Sequence, residues 1–188
     1  FCKSLEDIKK AHSEEKIAVI VDLDKKLQKE YAPDIIIDAI IAKKNIGTSI
    51  DEAKVVVAVG PGFVVGKDCM AVVETKRGHS LGRVILEGSA IPNTGIPGDI
   101  GGFTTERLIS SECAGVFKSN AKIGDIVKKG DIVAYVDETP VLAKIDGVVR
   151  GMLQDFIKVN KGFKLGDIDP RAKIEHCFSI SDKARAVG

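Results

Sequence analysis

Tryptophan is missing from this 188-residue chain, and aromatic residues make up only 5% of it. That scarcity argues against a stacking platform for bases or sugars. An excess of one charge is missing too: 28 Lys and Arg face 27 Asp and Glu, a formal net charge of +1. Neither nucleic acid nor an acidic membrane surface is therefore expected as a partner. No apolar run reaches the ~18–20 residues needed to span a bilayer. The longest, residues 35–41 and 55–65, are broken by Asp38 and by Gly60, Pro61 and Gly62. No secretion signal opens the chain. The four cysteines, Cys2, Cys69, Cys113 and Cys177, contain no C-x-x-C pair, and only His176–Cys177 places a His beside one. A metal site is not expected, and scattered thiols without a secretion signal read as reduced, packed and cytoplasmic.

What the chain does contain is Ile, Val and Ala, within a hydrophobic share of 44%. That is too apolar for disorder and ample for a core. Residues 4–16 are polar and helix-compatible, with Ser4 as N-cap and Asp7 supporting the first turn. IAVIVD (17–22), DIIIDAII (34–41) and VVVAVG (55–60) have the length of buried strands, separated by a short helical stretch (23–31), Pro33 and a loop (43–51). This order suggests a parallel α/β sheet. CMAVVET (69–75) and RVILEG (83–88) read as strands around the loop KRGHSLG. A long turn-rich stretch follows, EGSAIPNTGIPGDIGGF (87–103), stiffened by Pro92 and Pro97; loops of that length are often functional.

The last third carries a repeat. Gly115-Val-Phe-Lys and Gly147-Val-Val-Arg stand 32 positions apart, as do Val127-Lys-Lys-Gly and Val159-Asn-Lys-Gly. Two copies of short strands have to pair their open faces to bury a core. The pattern GVFKSNAKIGDIVKKGDIVAYVD, followed by AKIDGVVRGMLQDFIKVNKGFKLGDID, resembles the biotinyl/lipoyl-like barrel-sandwich hybrid. In that family a hairpin between the copies presents a modified Lys. Here the hairpin is VDETPVL (136–142), with no Lys at its tip, and Lys144 reads as part of the returning strand. Covalent biotin or lipoate is therefore not expected, and the module reads as structural or docking.

Candidate site residues lie before the repeat. Gly60 and Gly62, in GPGFVVG after a strand, could let backbone N–H groups approach a phosphate, provided that a helix opens at Gly66. Pro61 removes one donor, and a plain turn between strands is the favoured reading. Arg77, His79 and Arg83 cluster among glycines; Arg offers bidentate contacts to oxyanions and His can exchange a proton. With Asn93 and Thr94 of the long loop, Arg77 and His79 are the expected ligand- or partner-binding surface. Glu74, Glu87, Asp99 and Glu106 include carboxylates suited to acid–base chemistry, but nothing in the sequence brings two together, and no catalytic residue is assigned.

The strings PDIIIDAIIAKKNIGTSIDEAKVVVAVGPGF, AVVETKRGHSLGRVILEGSAIPNTGIPGDIGGFTTER, KIGDIVKKGDIVAYVD and CFSISDKARAVG occur in an order similar to that of the YqeB-type accessory proteins of the selenium-dependent molybdenum hydroxylase system. The resemblance implies a cytoplasmic protein serving maturation or docking of a hydroxylase of the xanthine dehydrogenase type, with that enzyme or its cofactor-insertion machinery as partner. It leaves open a homo-oligomer and a transiently bound nucleotide or molybdenum cofactor. The alternative is a nucleotide- or dinucleotide-binding enzyme acting on a small selenium- or molybdenum-cofactor-related substrate. Longer members of the family begin with a Rossmann-like unit; with Phe1 in place of Met, an upstream segment is expected. The expected architecture is α/β plus β: a partial Rossmann-like segment (1–66), a Gly/Pro-rich β region with the binding loop (67–110), a barrel-sandwich hybrid (111–170) and a tail (171–188).

Overall fold

A computed structural model describes residues 1–95 and 98–188; Pro97 of the long loop lies outside the described residues. The chain divides into two compact units, Phe1–Asn93 with Ala186–Gly188, and Thr94–Arg185. The division cuts through the 67–110 stretch. Sheets dominate, helices are few and short, and one sheet mixes parallel and antiparallel pairs. Among the described residues no helix is long and apolar enough to cross a membrane.

The first unit opens with helix α1 (Leu5–Ser13), capped as its sequence demands. Ser4 Oγ accepts from the Asp7 N–H, and the Asp7 carboxylate accepts from the Ser4 N–H. Helix α2 (Lys26–Tyr31) follows, with Asp22 accepting from the Lys26 and Gln28 N–H groups. The sheet is β1 (Ile35–Asp38), β2 (Val55–Val59), β3 (Ala71–Val73) and β4 (Val84–Ile85), in that order. The first three run parallel and β4 is antiparallel to β3. Ile36, Val56, Ala58 and Val72 pack on one face with Phe63, Cys69 and Ala90. Ile35 and Ile37 are exposed.

One expected strand is absent. Residues 17–22 form no strand; a single bridge joins Ile20 to Cys2. The run is apolar enough for a strand, but a strand needs a neighbour for its N–H and C=O groups. Cys2 alone supplies a one-residue contact, and Ile17 and Val21 stay exposed.

The second unit is built from β5 (Leu108–Ser110), β6 (Gly115–Ser119), β7 (Ile126–Val127), β8 (Ile132–Val136), β9 (Thr139–Leu142), β10 (Gly147–Met152), β11 (Lys158–Val159) and β12 (Lys164–Asp169). They make two four-stranded sheets among the described residues, β5-β12-β10-β7 and β11-β6-β8-β9. Each pairing in one sheet has its counterpart in the other under the 32-residue shift. The repeat thus begins earlier than the Gly-Val signature: β5 corresponds to β9. Turn bonds repeat as well. The Gly130 N–H donates to Ala143 O, and the Gly162 N–H to Ser111 O. Phe117, Val133, Val136, Val149, Leu165 and Ile168 form the core of this unit.

β8 and β9 form a hairpin that turns on Asp137 and Glu138. Lys144 does not belong to the returning strand. β9 ends at Leu142, Ala143 exchanges backbone bonds with Gly130 and Asp131, and Lys144 sits exposed on a bend before β10. Residues 171–188 carry two short helices, α3 (Glu175–Phe178) and α4 (Asp182–Val187).

Phe117 is fully buried. Phe117→Ala is expected to destabilise the second unit by about 3–5 kcal/mol, measured by urea unfolding. Asp169 is also fully buried and pairs with Arg171, whose hydrogen bonds hold its carboxyl below the usual value of 3.8. A carboxyl depressed in this way contributes stability above its unfolded pKa and loses it as pH falls through the folded one. Acid titration should therefore show stability falling below about pH 4, and Asp169→Asn should flatten that limb while lowering stability at neutral pH.

Candidate functional site

In open parallel sheets, ligands bind outside the carboxyl ends of the strands. Here those ends present Asp38 as the last residue of β1, Gly60–Gly62 after β2, and Glu74 and Thr75 after β3. Both carboxylates are buried: Asp38 is 6% exposed and Glu74 2%. Asp38 Oδ2 accepts from the Thr48 hydroxyl at 2.6 Å and Oδ1 from the Ile40 N–H at 3.1 Å. Asn45 folds the 45–48 turn, its Oδ1 accepting from the Gly47 and Thr48 N–H groups, each at 2.8 Å.

The two glycines meet different neighbours. The Gly60 N–H donates to Val73 O at 2.9 Å, which holds the turn beside β3. Gly62 has φ +109°, and a Cβ there would overlap the Lys44 backbone. Its carbonyl accepts from the Asn45 N–H at 3.2 Å. The glycine at 62 is thus required by close backbone approach. No helix opens at Gly66: its N–H donates to Cys69 O, and the chain enters β3. The phosphate cradle for which the sequence left room lacks its helix N-terminus.

Glu74 is the residue that the sequence named without a role. Its Oε1 accepts from the Lys76 N–H and its Oε2 from the Ile91 N–H, both at 2.8 Å. Its own backbone bonds Arg83 O and the Gly82 N–H. Glu74 therefore holds the KRGHSLG connection at both ends, its carboxylate at Lys76 and its main chain at Gly82 and Arg83, while the same carboxylate holds Ile91 in the long loop. Arg77 and His79 project from that connection, both exposed. The sequence gives one signal of this, an acidic residue at the end of a β-branched strand with glycines following. The Ile91 partner, 17 residues on, is visible only in the fold.

The structure brings Gly60 close to Thr75 and sets Arg77 and His79 on a braced loop. Asn93 ends the first unit and Thr94 begins the second; both are exposed. The cysteines are all free thiols. Cys69 is buried, and burial pushes its thiol up, as it does that of half-buried Cys177. Both are thereby poorer nucleophiles. Among the described residues no group of three or more His, Cys, Asp or Glu could hold a metal ion.

Glu74→Ala would remove the acceptor of the part-buried Lys76 and Ile91 N–H bonds, at a cost of about 0.5–1.5 kcal/mol for each. Faster amide exchange at residues 76–83 and 91, with β8 and β10 unchanged, is the expected result.

No protein-family model and no solved structure matches the chain. A protein of Escherichia coli (strain K12) with the name "Uncharacterized protein YqeB" is 52% identical over 172 residues, which cover 92% of this chain. The chain spans 32% of that relative's length. At this identity over nearly the whole of its 188 residues, the chain belongs to the YqeB-type family.

Proposed function

We propose that this chain is part of an accessory factor for a selenium-dependent molybdenum hydroxylase, acting in maturation or docking in the cytoplasm. The surface that meets the hydroxylase or its cofactor-insertion machinery is the loop bearing Arg77 and His79, with Asn93 and Thr94 following. The observation that favours docking over nucleotide chemistry is the path of the chain after Gly60. A dinucleotide site needs a helix N-terminus behind its glycines, and here the turn runs into β3. The parallel strands are in this reading a Rossmann-like fragment. The two repeated sheets are a barrel-sandwich hybrid serving as a docking element, since the β8–β9 turn offers Asp137 and Glu138 and no amine.

Co-purification of the full-length protein from a host that makes the hydroxylase tests this reading, with bound protein, molybdenum and selenium measured. Arg77→Ala combined with His79→Ala should lower the recovered hydroxylase activity and leave the accessory protein folded. Unchanged maturation would refute the assignment. Stabilisation of the wild-type protein by a nucleotide or dinucleotide in a thermal melt would instead support the enzyme reading.

A further inference from the structure

The second unit contains a cluster that neither the repeat nor the proposed docking surface uses. β10 and β12 pair antiparallel, but their register shifts between Val149 and Gly151, which leaves Arg150 off the ladder. Such irregularities re-aim a side chain. Arg150 turns towards Asp169, its Nη1 lying 3.5 Å from Oδ2. Arg171 reaches the same carboxylate, Nε to Oδ1 at 2.9 Å and Nη2 to Oδ2 at 2.6 Å, while its backbone N–H donates to Oδ1 at 3.0 Å. Four donors thus converge on one fully buried carboxylate. Asp169 has no acceptor capacity to spare, and its effect is to orient two guanidinium groups.

A cavity of about 300 Å³ opens beside them, lined by Arg150, Arg171, His176, Ser179, Ser181 and Asp182. That volume is at the small end of ligand sites. Its polar inventory is rich in donors. Each guanidinium has N–H groups that do not face Asp169. The Ser181 hydroxyl oxygen accepts from the Ala184 N–H, so its proton is not committed by that bond. His176 Nδ1 is buried with no hydrogen-bond partner. A buried ring nitrogen without a partner is costly, and with its proton on Nδ1 it adds another donor. The one carboxylate in this lining is Asp182, which lies close enough to Arg171 to reinforce its charge.

We infer that this cavity is a binding site for a small oxyanion of the carboxylate or phosphate class. Arg150 and Arg171 hold the anion, His176 Nδ1 supplies a further hydrogen bond, and Asp169 acts as a positioning residue behind the arginines. Asp182 is the intramolecular rival that the incoming anion displaces. This inference stands independently of the hydroxylase reading.

Titration calorimetry of the full-length protein at constant ionic strength tests it, with inorganic phosphate in one arm and malonate in the other. Saturable binding in either arm is expected, and the arm that saturates assigns the class. Asp182→Asn should tighten binding by roughly two- to fivefold, the size of a partly exposed charge contact. His176→Gln should weaken it, with the far-UV spectrum unchanged. Failure of both anions to saturate by about 10 mM, an affinity tenfold or more weaker than a millimolar site, would overturn the proposal. So would weaker binding in Asp182→Asn. Because the readout is direct binding, failure here leaves the hydroxylase assignment untouched.

Discussion

β7 hydrogen-bonds to β10, and β11 to β6. In each case a two-residue strand of one repeat completes the sheet of the other. Neither repeat can close its own sheet, so the Phe117–Val149–Leu165 core exists only when both are present. Everything else in the second unit follows from that exchange. The turn bonds at Gly130 and Gly162 are set by it, as is the hairpin that ends at Leu142. The β10–β12 irregularity that aims Arg150 is set in the sheet so formed.

The first unit depends on a different device. Its parallel strands are short, and the loops beyond their carboxyl ends are fixed by buried carboxylates rather than by a large core. Asp38 binds the Thr48 hydroxyl and the Ile40 N–H, and Glu74 binds the N–H groups of Lys76 and Ile91. A carboxylate that accepts two hydrogen bonds in a dry setting is strongly held. It fixes the loops that carry the glycine-rich surface.

Much of the local structure was legible. The Ser4 cap, the strands at 55–59 and 71–73, and the 32-residue spacing follow from hydrophobic runs and turn glycines. The strand expected at 17–22 was not formed, because an apolar run specifies burial but not a partner. Lys144 was misplaced for a similar reason: Ala143, just after Leu142, is tied by backbone bonds to Gly130 and Asp131, on a different segment. Gly60 and Gly62 look alike in sequence, yet one packs beside Thr75 and the other beneath Lys44.

The sequence by itself determined the family, the balance of charge, the repeat and the absence of a Lys at the β8–β9 turn. These are properties of residue order and need no neighbour in space. Only the tertiary structure decided that β5 is the counterpart of β9, and that Glu74 meets Ile91. It also decided that Arg150, Arg171 and His176 share one cavity around Asp169. Each of these rests on a contact between segments far apart in the chain. Strand exchange and buried hydrogen bonds select such contacts, and spacing along the chain carries no record of them.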